Sequence, residues 1–285
     1  MSEIVRATKI NVASCHAVLS TLVACGYLSR DPKTRTYSLG RVLVALGQAA
    51  LRADPLVAYA EAGAARLQRD LGYAVILTTA AGDEILAILS LADNTGNQPR
   101  LRAGERMPLV APVGAPFVAW SSESVIESWI TRHSPPRDKR IVAAWRHTLE
   151  LTRKRGYQVM LRAPNSQEIG LLMAEMASGS HVSNHKDEVL RLINSFGNEL
   201  SQPESIEADE LYDILIISAP LFDRNGETTY NLSLTGFSAP QPGNVIINLA
   251  DQLVRTCLEV MRADRANRRP AGRDGQRVRV GAANP

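Results

Sequence analysis

The sequence predicts an α+β fold, in which a mainly antiparallel sheet carries helices on its faces and follows a short helical head. Residues 73–79 and 84–91 are apolar, β-branched runs joined by Ala-Ala-Gly-Asp, which is a hairpin pattern. Residues 213–218 and 228–235 flank Asp-Arg-Asn-Gly and form a second, closing hairpin. Segments with apolar residues three and four apart lie between and around these hairpins and predict helices.

The head begins with two short helices. Ser2 can cap a first helix, and residues 8–11 interrupt it before helical spacing resumes over residues 12–25. The second helix is expected to bury one stripe of side chains: Cys15, Val18, Leu19, Leu22 and Val23. Gly26 then ends it, and the pattern is that of a helix-turn-helix.

A charged hairpin follows the helices. Residues 27–30 and 35–39 alternate like paired strands around the turn at residues 31–34. This hairpin would be a wing that places Arg30, Lys33 and Arg35 beside a phosphate backbone. Residues 1–40 are therefore predicted to be a winged helix-turn-helix that binds DNA.

The start of the second helix would meet base edges and phosphates. Asn11, Val12 and Ser14 are placed there, and Lys9 would neutralise a phosphate. His16 has two interpretations, because it could reach a phosphate or pack between the two helices.

Composition indicates two ordinary globular domains. The chain has 285 residues, of which 45% are hydrophobic and 21% charged. It contains no apolar run of about 18 residues and no signal-peptide pattern at its start, so no membrane association is expected. The three cysteines are scattered without a Cys-x-x-Cys pair, which favours reduced thiols and a cytoplasmic location.

Charge is distributed unevenly along the chain. Residues 1–41 contain six basic and two acidic residues, and residues 264–285 repeat those numbers, so each end carries +4. Since the total is +3, the middle carries −5. A basic head suits nucleic acid, whereas the basic tail is interpreted as a solvated, disordered segment.

The remaining segments complete the predicted order and the domain boundaries. Residues 41–55 would be a linker helix between the winged helix-turn-helix at 1–40 and an effector domain at 56–263, with a disordered tail at 264–285. A third strand is expected at 99–102 and another at 157–161. Helices are expected at 56–71, 117–120, 123–131, 138–155, 167–177, 184–200 and 244–261.

The head sequence SEIVRATKINVASCHAVLSTLVACGYLSRDPKTRTYSLG resembles the winged-helix region of the isocitrate-lyase-regulator (IclR) family of bacterial transcription factors. Three later stretches look like landmarks of the family's effector domain, in the same order: RLRAGERMPLVAPVGAPFVAW, LTRKRGYQV and IISAPLFDRNGETTYNLSLTGF. The resemblance implies a GAF-like fold, a small-molecule effector, a homodimer or tetramer, and a palindromic double-stranded DNA operator. The sequence departs from the family in lacking a helix ahead of Ser2, so the head is expected to be incomplete, and in carrying an insertion over residues 160–212.

The resemblance also implies an effector site. Backbone N–H groups of Val113, Gly114 and Ala115 could hold a carboxylate at a helix N-terminus, although the stretch could be a plain turn. Ser233 and Thr235 match hydroxyls that point into the family's pocket, although they could simply face solvent. Ile216 stands where the family often has cysteine, which favours an effector larger or more apolar than a short keto acid.

No catalytic, cofactor or metal motif is found. The sequence has no Gly-x-Ser-x-Gly, His-Glu-x-x-His, P-loop or Gly-x-Gly-x-x-Gly pattern, and His181 and His185 lack a third ligand. Three hypotheses follow. The first is an effector-controlled repressor or activator, the second a ligand-binding or dimerisation module that no longer binds DNA, and the third a small-molecule enzyme on the same sheet.

Overall fold

A computed structural model describes residues 2–96, 101–132, 138–162 and 202–267. The chain divides into two compact units, Met1–Ala58 and Tyr59–Pro285. The division falls inside the helix that follows the predicted 41–55 linker. The predicted helices at 167–177 and 184–200, His181 and His185, most of the 160–212 insertion and residues 268–285 lie outside the described residues.

The N-terminal unit contains helices α1 (Ser2–Thr8), α2 (Val12–Ala24) and α3 (Val42–Ala53), and strands β1 (Leu28–Arg30) and β2 (Tyr37–Leu39). Asn11 is the N-cap of α2, and its side-chain oxygen accepts a hydrogen bond from the Ser14 N–H at 2.9 Å. The predicted stripe is only partly buried. Cys15 and Leu19 are buried, but Val18 is 52% exposed, so the prediction for Val18 is wrong.

The hairpin of this unit forms in the register Leu28↔Leu39, Ser29↔Ser38 and Arg30↔Tyr37. Its second strand is shorter than predicted. Arg35 has a left-handed backbone, with φ at 55°, and its N–H donates to the Asp31 carbonyl at 2.9 Å. Because that conformation is incompatible with an extended strand, Arg35 belongs to the turn and β2 begins at Tyr37.

The C-terminal unit is built on a six-stranded antiparallel sheet of order β5-β4-β3-β9-β8-β6. The strands are β3 (Ala74–Ala81), β4 (Glu84–Leu91), β5 (Arg106–Pro108), β6 (Gln158–Leu161), β8 (Ile214–Phe222) and β9 (Thr228–Thr235), and a separate short pair joins β7 (Leu211–Tyr212) to β10 (Gln241–Pro242). The helices are α4 (Pro55–Leu71), which begins in the N-terminal unit, α5 (Ala115–Val118), α6 (Glu123–Thr131), α7 (Lys139–Arg155) and α8 (Gly243–Asn267). The predicted α+β class with an antiparallel sheet and helices on its faces is confirmed.

Two predicted elements need correction, and one strand pair was not predicted. The third strand is Arg106–Pro108 and not 99–102, of which Leu101 and Arg102 are described and are not in a strand. The pair of β7 and β10 has no counterpart among the predicted strands. The tail does not begin at residue 264, because α8 continues to Asn267 and buries Asp264.

No single helix within the described ranges is long and apolar enough to cross a membrane, although α3 and α4 together, as a bent pair, have sufficient length and apolar composition. The same ranges contain no group of three or more His, Cys, Asp or Glu side chains that could hold a metal ion.

Candidate functional sites

The residues predicted to contact DNA lie on the surface of the N-terminal unit. All eight are exposed: Lys9, Asn11, Val12, Ser14, His16, Arg30, Lys33 and Arg35. His16 Nδ1 lies 3.5 Å from Ser20 Oγ, within the same helix. Because His16 is exposed, the alternative that it packs between the helices is wrong.

The tip of the hairpin is held by one carboxylate. Asp31 accepts hydrogen bonds from the N–H groups of Lys33 at 2.7 Å and Thr34 at 3.1 Å. These bonds, that from Thr34 foremost, lower the pKa of Asp31. The Asp31 carboxylate thus fixes the turn through two backbone N–H groups. The side chain of Lys33 takes no part in these bonds and is exposed to solvent.

Two other predicted DNA contacts are partly engaged within the unit. The Asn11 side-chain oxygen caps α2, so its amide N–H groups are what it can offer to an acceptor on a base or phosphate. The Arg30 guanidinium lies over the Tyr37 ring, 5.8 Å from its centre. Both arrangements restrict the side chains before any partner binds.

The N-terminal unit also exposes apolar side chains. Those more than two-fifths exposed are Ile10, Val12, Val18, Leu39, Val42, Val44 and Leu46. An exposed apolar set of this kind is typical of a surface that contacts another molecule.

The second candidate site lies on one face of the six-stranded sheet. Strand register places Gln158 opposite Ser218, Ser218 opposite Ser233, and Ser233 opposite Ile76. Directly paired residues share a face, so these four form one row across β6, β8, β9 and β3. Asn231 lies on the same face, two residues from Ser233 on β9. We call this surface the polar face.

The opposite face of the sheet is apolar. Its buried members from the same strands include Val75, Leu77, Val159, Ile217, Ala219, Leu221, Leu232 and Leu234, each at most 1% exposed. Helix α8 packs against β8 and β9. Ile76 of the polar face belongs to a different cluster, formed with residues of α5, α6 and α7, so the apolar face is the one that α8 covers.

The central residues of the polar face are buried, like those of the apolar face. Gln158 is 2% exposed, Ser233 3% and Asn231 3%. The Ser218 and Ser233 hydroxyls hydrogen-bond each other at 2.9 Å. Gln158 Nε2 and Asn231 Oδ1 are buried without a hydrogen-bond partner. Because nearly all buried polar groups in folded proteins are paired, these two unpaired groups distinguish the polar face from the apolar face.

Apolar and aromatic residues cover the polar face. This cover includes Phe117 and Val118 of α5, Trp129 of α6, and Trp145 and Leu149 of α7, all buried. Helix α5 lies against β8 and β9. Trp129 Nε1 donates to the Val113 carbonyl at 2.9 Å, whereas Trp145 Nε1 is buried without a partner.

The predicted effector residues on the strands lie on the polar face. Register places Ile216 opposite Thr235, in the row next to Ser218 and Ser233, and both are half-buried. The Thr235 hydroxyl donates to the Leu215 carbonyl at 3.2 Å. The alternative that these hydroxyls simply face solvent is wrong for Ser233, which is buried.

The predicted effector residues of the loop lie at the start of α5. Gly114 is the N-cap, with a left-handed φ of 77°, and Val113 and Ala115 are buried on either side of it. The stretch is thus both a turn and a helix N-terminus. No charged side chain caps α5, and the cap makes no side-chain hydrogen bond.

Four residues of the polar face and its cover were not predicted from the sequence: Gln158, Ser218, Asn231 and Trp145. The signal for Asn231 was present, because β9 alternates Asn231, Ser233 and Thr235 with Leu232 and Leu234. Such alternation usually indicates a half-solvated strand, and nothing in the strand itself shows that the polar side is covered.

Comparison with known proteins finds similarity to transcriptional regulators. No protein-family model matches the chain. Over 126 residues it is 25% identical to the DNA-binding transcriptional repressor YiaJ of Escherichia coli (strain K12), a match that covers 44% of this chain and 45% of the repressor. The chain therefore spans less than half the length of that curated relative.

Solved structures match over much more of the chain. An IclR transcriptional regulator from Alicyclobacillus acidocaldarius aligns with a TM-score of 0.63 and 19% identity, over 92% of this chain and 89% of that one. An IclR homologue from Microbacterium hydrocarbonoxydans, solved with 4-hydroxybenzoate, aligns with a TM-score of 0.57 and 19% identity, over 93% and 90%. The Thermotoga maritima IclR aligns with a TM-score of 0.53 and 19% identity, over 92% and 89%. In its fold, and over part of its sequence, the chain is therefore similar to the IclR-type transcriptional regulators.

Proposed function

We propose that this chain is a DNA-binding transcriptional regulator, a repressor or an activator, controlled by a small organic acid or aromatic metabolite. The N-terminal unit would contact double-stranded DNA, and the effector would bind on the polar face under its apolar cover. The observation that carries the proposal is the contrast between the two sheet faces, since the buried residues of one are mostly apolar and the other buries unpaired polar groups.

The proposed DNA contacts are of two kinds, contacts to phosphates and contacts to base edges. Lys9, Arg30, Lys33 and Arg35 would neutralise phosphates, while Asn11, Val12, Ser14 and His16 lie on or beside the start of α2, where base edges are read. A homodimer or tetramer would present two copies of α2 to the half-sites of a palindromic operator. The resemblance to a named DNA-binding repressor supports this assignment.

Control would be a linkage effect. An effector held by Val113, Gly114 and Ala115 on one side and by Ile216, Ser233 and Thr235 on the other would favour one arrangement of the regulator. It could change DNA affinity only as far as its own affinity differs between the arrangements. 4-Hydroxybenzoate, bound by the Microbacterium relative, is a first probe.

The proposal is tested by binding of the full chain to DNA from upstream of its own gene. We expect sequence-selective binding that weakens with salt, because each neutralised phosphate contributes a slope of about −0.9 in the logarithm of affinity against the logarithm of salt concentration. Lys33→Ala should reduce the slope by about 0.9 and weaken binding to all sequences alike.

Arg224→Ala provides the matched control. Arg224 is an exposed cation in the β8–β9 hairpin, and Asp223 caps that turn by accepting the Asn225 N–H at 2.8 Å, as Asp31 caps the turn at Lys33. Its replacement should leave the salt slope unchanged. Equal effects of the two substitutions, or no selectivity for any upstream sequence, would contradict the proposed DNA contacts.

A second candidate is a ligand-binding or dimerisation module that does not bind DNA. The exposed apolar residues of the N-terminal unit, Val18, Leu39, Val42, Val44 and Leu46, favour it because exposed apolar side chains are typical of protein contacts. The two candidates differ in one measurement. The module would bind effector on the polar face with no sequence-selective DNA binding, whereas the regulator would show both.

A further inference from the structure

We propose that the C-terminal unit has a second small-molecule site, a groove beside α8 that binds a small organic dianion with an apolar body, of the phosphate monoester or dicarboxylate type. This site is separate from the polar face, and its existence does not depend on the proposed function. Three features support it: a cavity of suitable size, an excess of arginine side chains, and an apolar strip among them.

The groove lies between α8 and the junction at which α7 ends and β6 begins. Its volume is about 460 Å³, which is within the range of about 300–1,000 Å³ that small-molecule pockets have. From α8 it is lined by Val254, Arg255, Leu258 and Arg262, and from the junction by Arg155 and Tyr157. Arg255, Leu258 and Arg262 are exposed, so the groove is open to a ligand from solvent.

Positive charge in the groove exceeds negative charge. Besides the three arginines, the lining contains two carboxylates, those of Asp251 and Glu259. Glu259 is balanced from α4, because it forms an ion pair with Arg66, which does not line the groove. Three cations therefore remain against the single carboxylate of Asp251, a net charge of +2. A dianion would neutralise this charge, whereas a neutral ligand would leave it uncompensated.

The positive charges of the arginines are available to a ligand. Arg255 and Arg262 form no ion pair with any described residue. The Arg155 guanidinium donates to the carbonyls of Pro203 at 2.8 Å and Glu204 at 2.9 Å. These acceptors are uncharged, and the Glu204 carboxylate itself bonds to His147. One guanidinium is thus held in place while two are free, and guanidinium groups are well suited to the oxygens of phosphates and carboxylates.

The body of the ligand would lie on the apolar strip. Val254 and Leu258 are one turn apart on α8, and Leu258 is 43% exposed. Tyr157 adds a half-buried aromatic ring. Burial is the main cause that raises the pKa of Tyr157, so its hydroxyl stays protonated at neutral pH and can donate to an anion. Because an apolar group would remove Leu258 from water, the groove suits an anion with an apolar body better than an inorganic ion.

The test measures binding of phenyl phosphate to the full chain by calorimetric titration at about pH 7.5, where a phosphate monoester is mostly doubly charged. Phenyl sulfate has nearly the same shape with one negative charge, and inorganic phosphate has no ring. We expect phenyl phosphate to bind at least about threefold more tightly than either. Phenylsuccinate tests the dicarboxylates. Binding of either dianion supports the site, and the tighter of the two gives its class.

Substitutions in the groove should have effects of opposite sign. Arg255→Gln and Arg262→Gln each remove a cation and should weaken phenyl phosphate about two- to fivefold. Asp251→Asn removes the opposing carboxylate and should strengthen binding by about the same factor, which damage to the fold would not do. Leu258→Gln should weaken phenyl phosphate but leave inorganic phosphate unchanged. Arg69→Gln is the matched control, because Arg69 is an exposed arginine of α4 outside the groove.

Several results would overturn the proposal. These are no binding of either dianion at about 10 mM, phenyl sulfate bound as tightly as phenyl phosphate, or affinities that the groove variants change no more than Arg69→Gln does. Upstream DNA binding by the wild type without a probe reports the proposed function separately. Loss of that DNA binding in Arg255→Gln and Arg262→Gln would assign the arginines to DNA contact instead and would also refute the small-molecule site.

Discussion

Gly114 occupies a position in the C-terminal unit that glycine alone fills without strain. Its φ is 77°, in the left-handed region, and a Cβ there would lie 2.4 Å from Leu109 Cδ1 and 2.9 Å from Ile85 Cδ1. Both neighbours are buried in the cluster that covers the polar face, so they have little room to move. Gly114→Ala therefore combines a backbone penalty with overpacking at the start of α5.

The backbone penalty and the overpacking can be separated by comparison with a second glycine that has the same backbone conformation. Gly156 ends α7 with the same φ of 77°, but a Cβ at Gly156 would have no neighbour within 4 Å. The left-handed conformation costs an alanine about 1–2 kcal/mol at either position. Overpacking adds about 1–3 kcal/mol at Gly114 only, so Gly114→Ala should lower the free energy of unfolding by about 2–5 kcal/mol and Gly156→Ala by about 1–2 kcal/mol.

Urea unfolding followed by tryptophan fluorescence measures both values. The three tryptophans of the chain all lie in the C-terminal unit, so the signal reports that unit alone. Equal losses for the two substitutions would show that Leu109 and Ile85 yield easily and that the start of α5 is not tightly packed. A larger loss at Gly156 would contradict the packing argument outright.

Four further substitutions have defined outcomes. Ser218→Ala or Ser233→Ala should each cost about 1–3 kcal/mol in urea unfolding, because each leaves one buried hydroxyl unpaired, and the double variant should cost less than the sum. The Glu204 carboxylate raises the pKa of His147 above its ordinary 6.5, so the stability that His147 contributes is complete below that value and is lost as pH rises through its folded pKa. His147 in turn lowers the pKa of Glu204, whose contribution is lost only as pH falls through that lower value. The melting temperature of the wild type should accordingly fall relative to His147→Gln as pH rises above 6.5, and a constant difference would refute the assignment. Gln202→Leu should cost at least about 2 kcal/mol in urea unfolding, because the buried amide donates to Thr148 and Thr152 and accepts the Val159 N–H.

Local patterns were sufficient to predict most described elements. The predicted bounds of β4, β9 and α6 are those observed, because each follows a strong turn or cap and has an uninterrupted apolar period. Strand β5 was missed because Arg106–Pro108 has only three residues, and its pairing with β4 depends on a partner 22 residues away. The β7–β10 pair is a two-residue contact between distant segments, and no local pattern predicts such a pair.

The candidate effector site was predicted only in part for a related reason. Ile216, Ser233 and Thr235 were placed through resemblance, whereas Gln158 and Asn231 could not be, since a polar residue on an alternating strand normally faces water. What buries them is the cover from α5, α6 and α7, which is brought over the sheet by the tertiary fold. Val18 of the N-terminal unit shows the opposite error, in which a residue predicted to be buried is exposed. Helical spacing alone placed it in the core, but no other part of the unit covers it.

The unpaired groups of the polar face lower the stability of the protein. Each buried polar atom without a partner costs about 1–3 kcal/mol, and replacement by an apolar side chain would remove that cost. Gln158 and Asn231 therefore destabilise the ligand-free protein, although the apolar face of the same sheet shows that an apolar alternative packs well. A ligand at one hundred times its Kd would stabilise the folded protein by about 2.7 kcal/mol, which is of the size of one or two such groups. Binding at this face would thus offset a cost that is present in the empty protein, and it would shift a regulator between two states by as much as that cost differs between them.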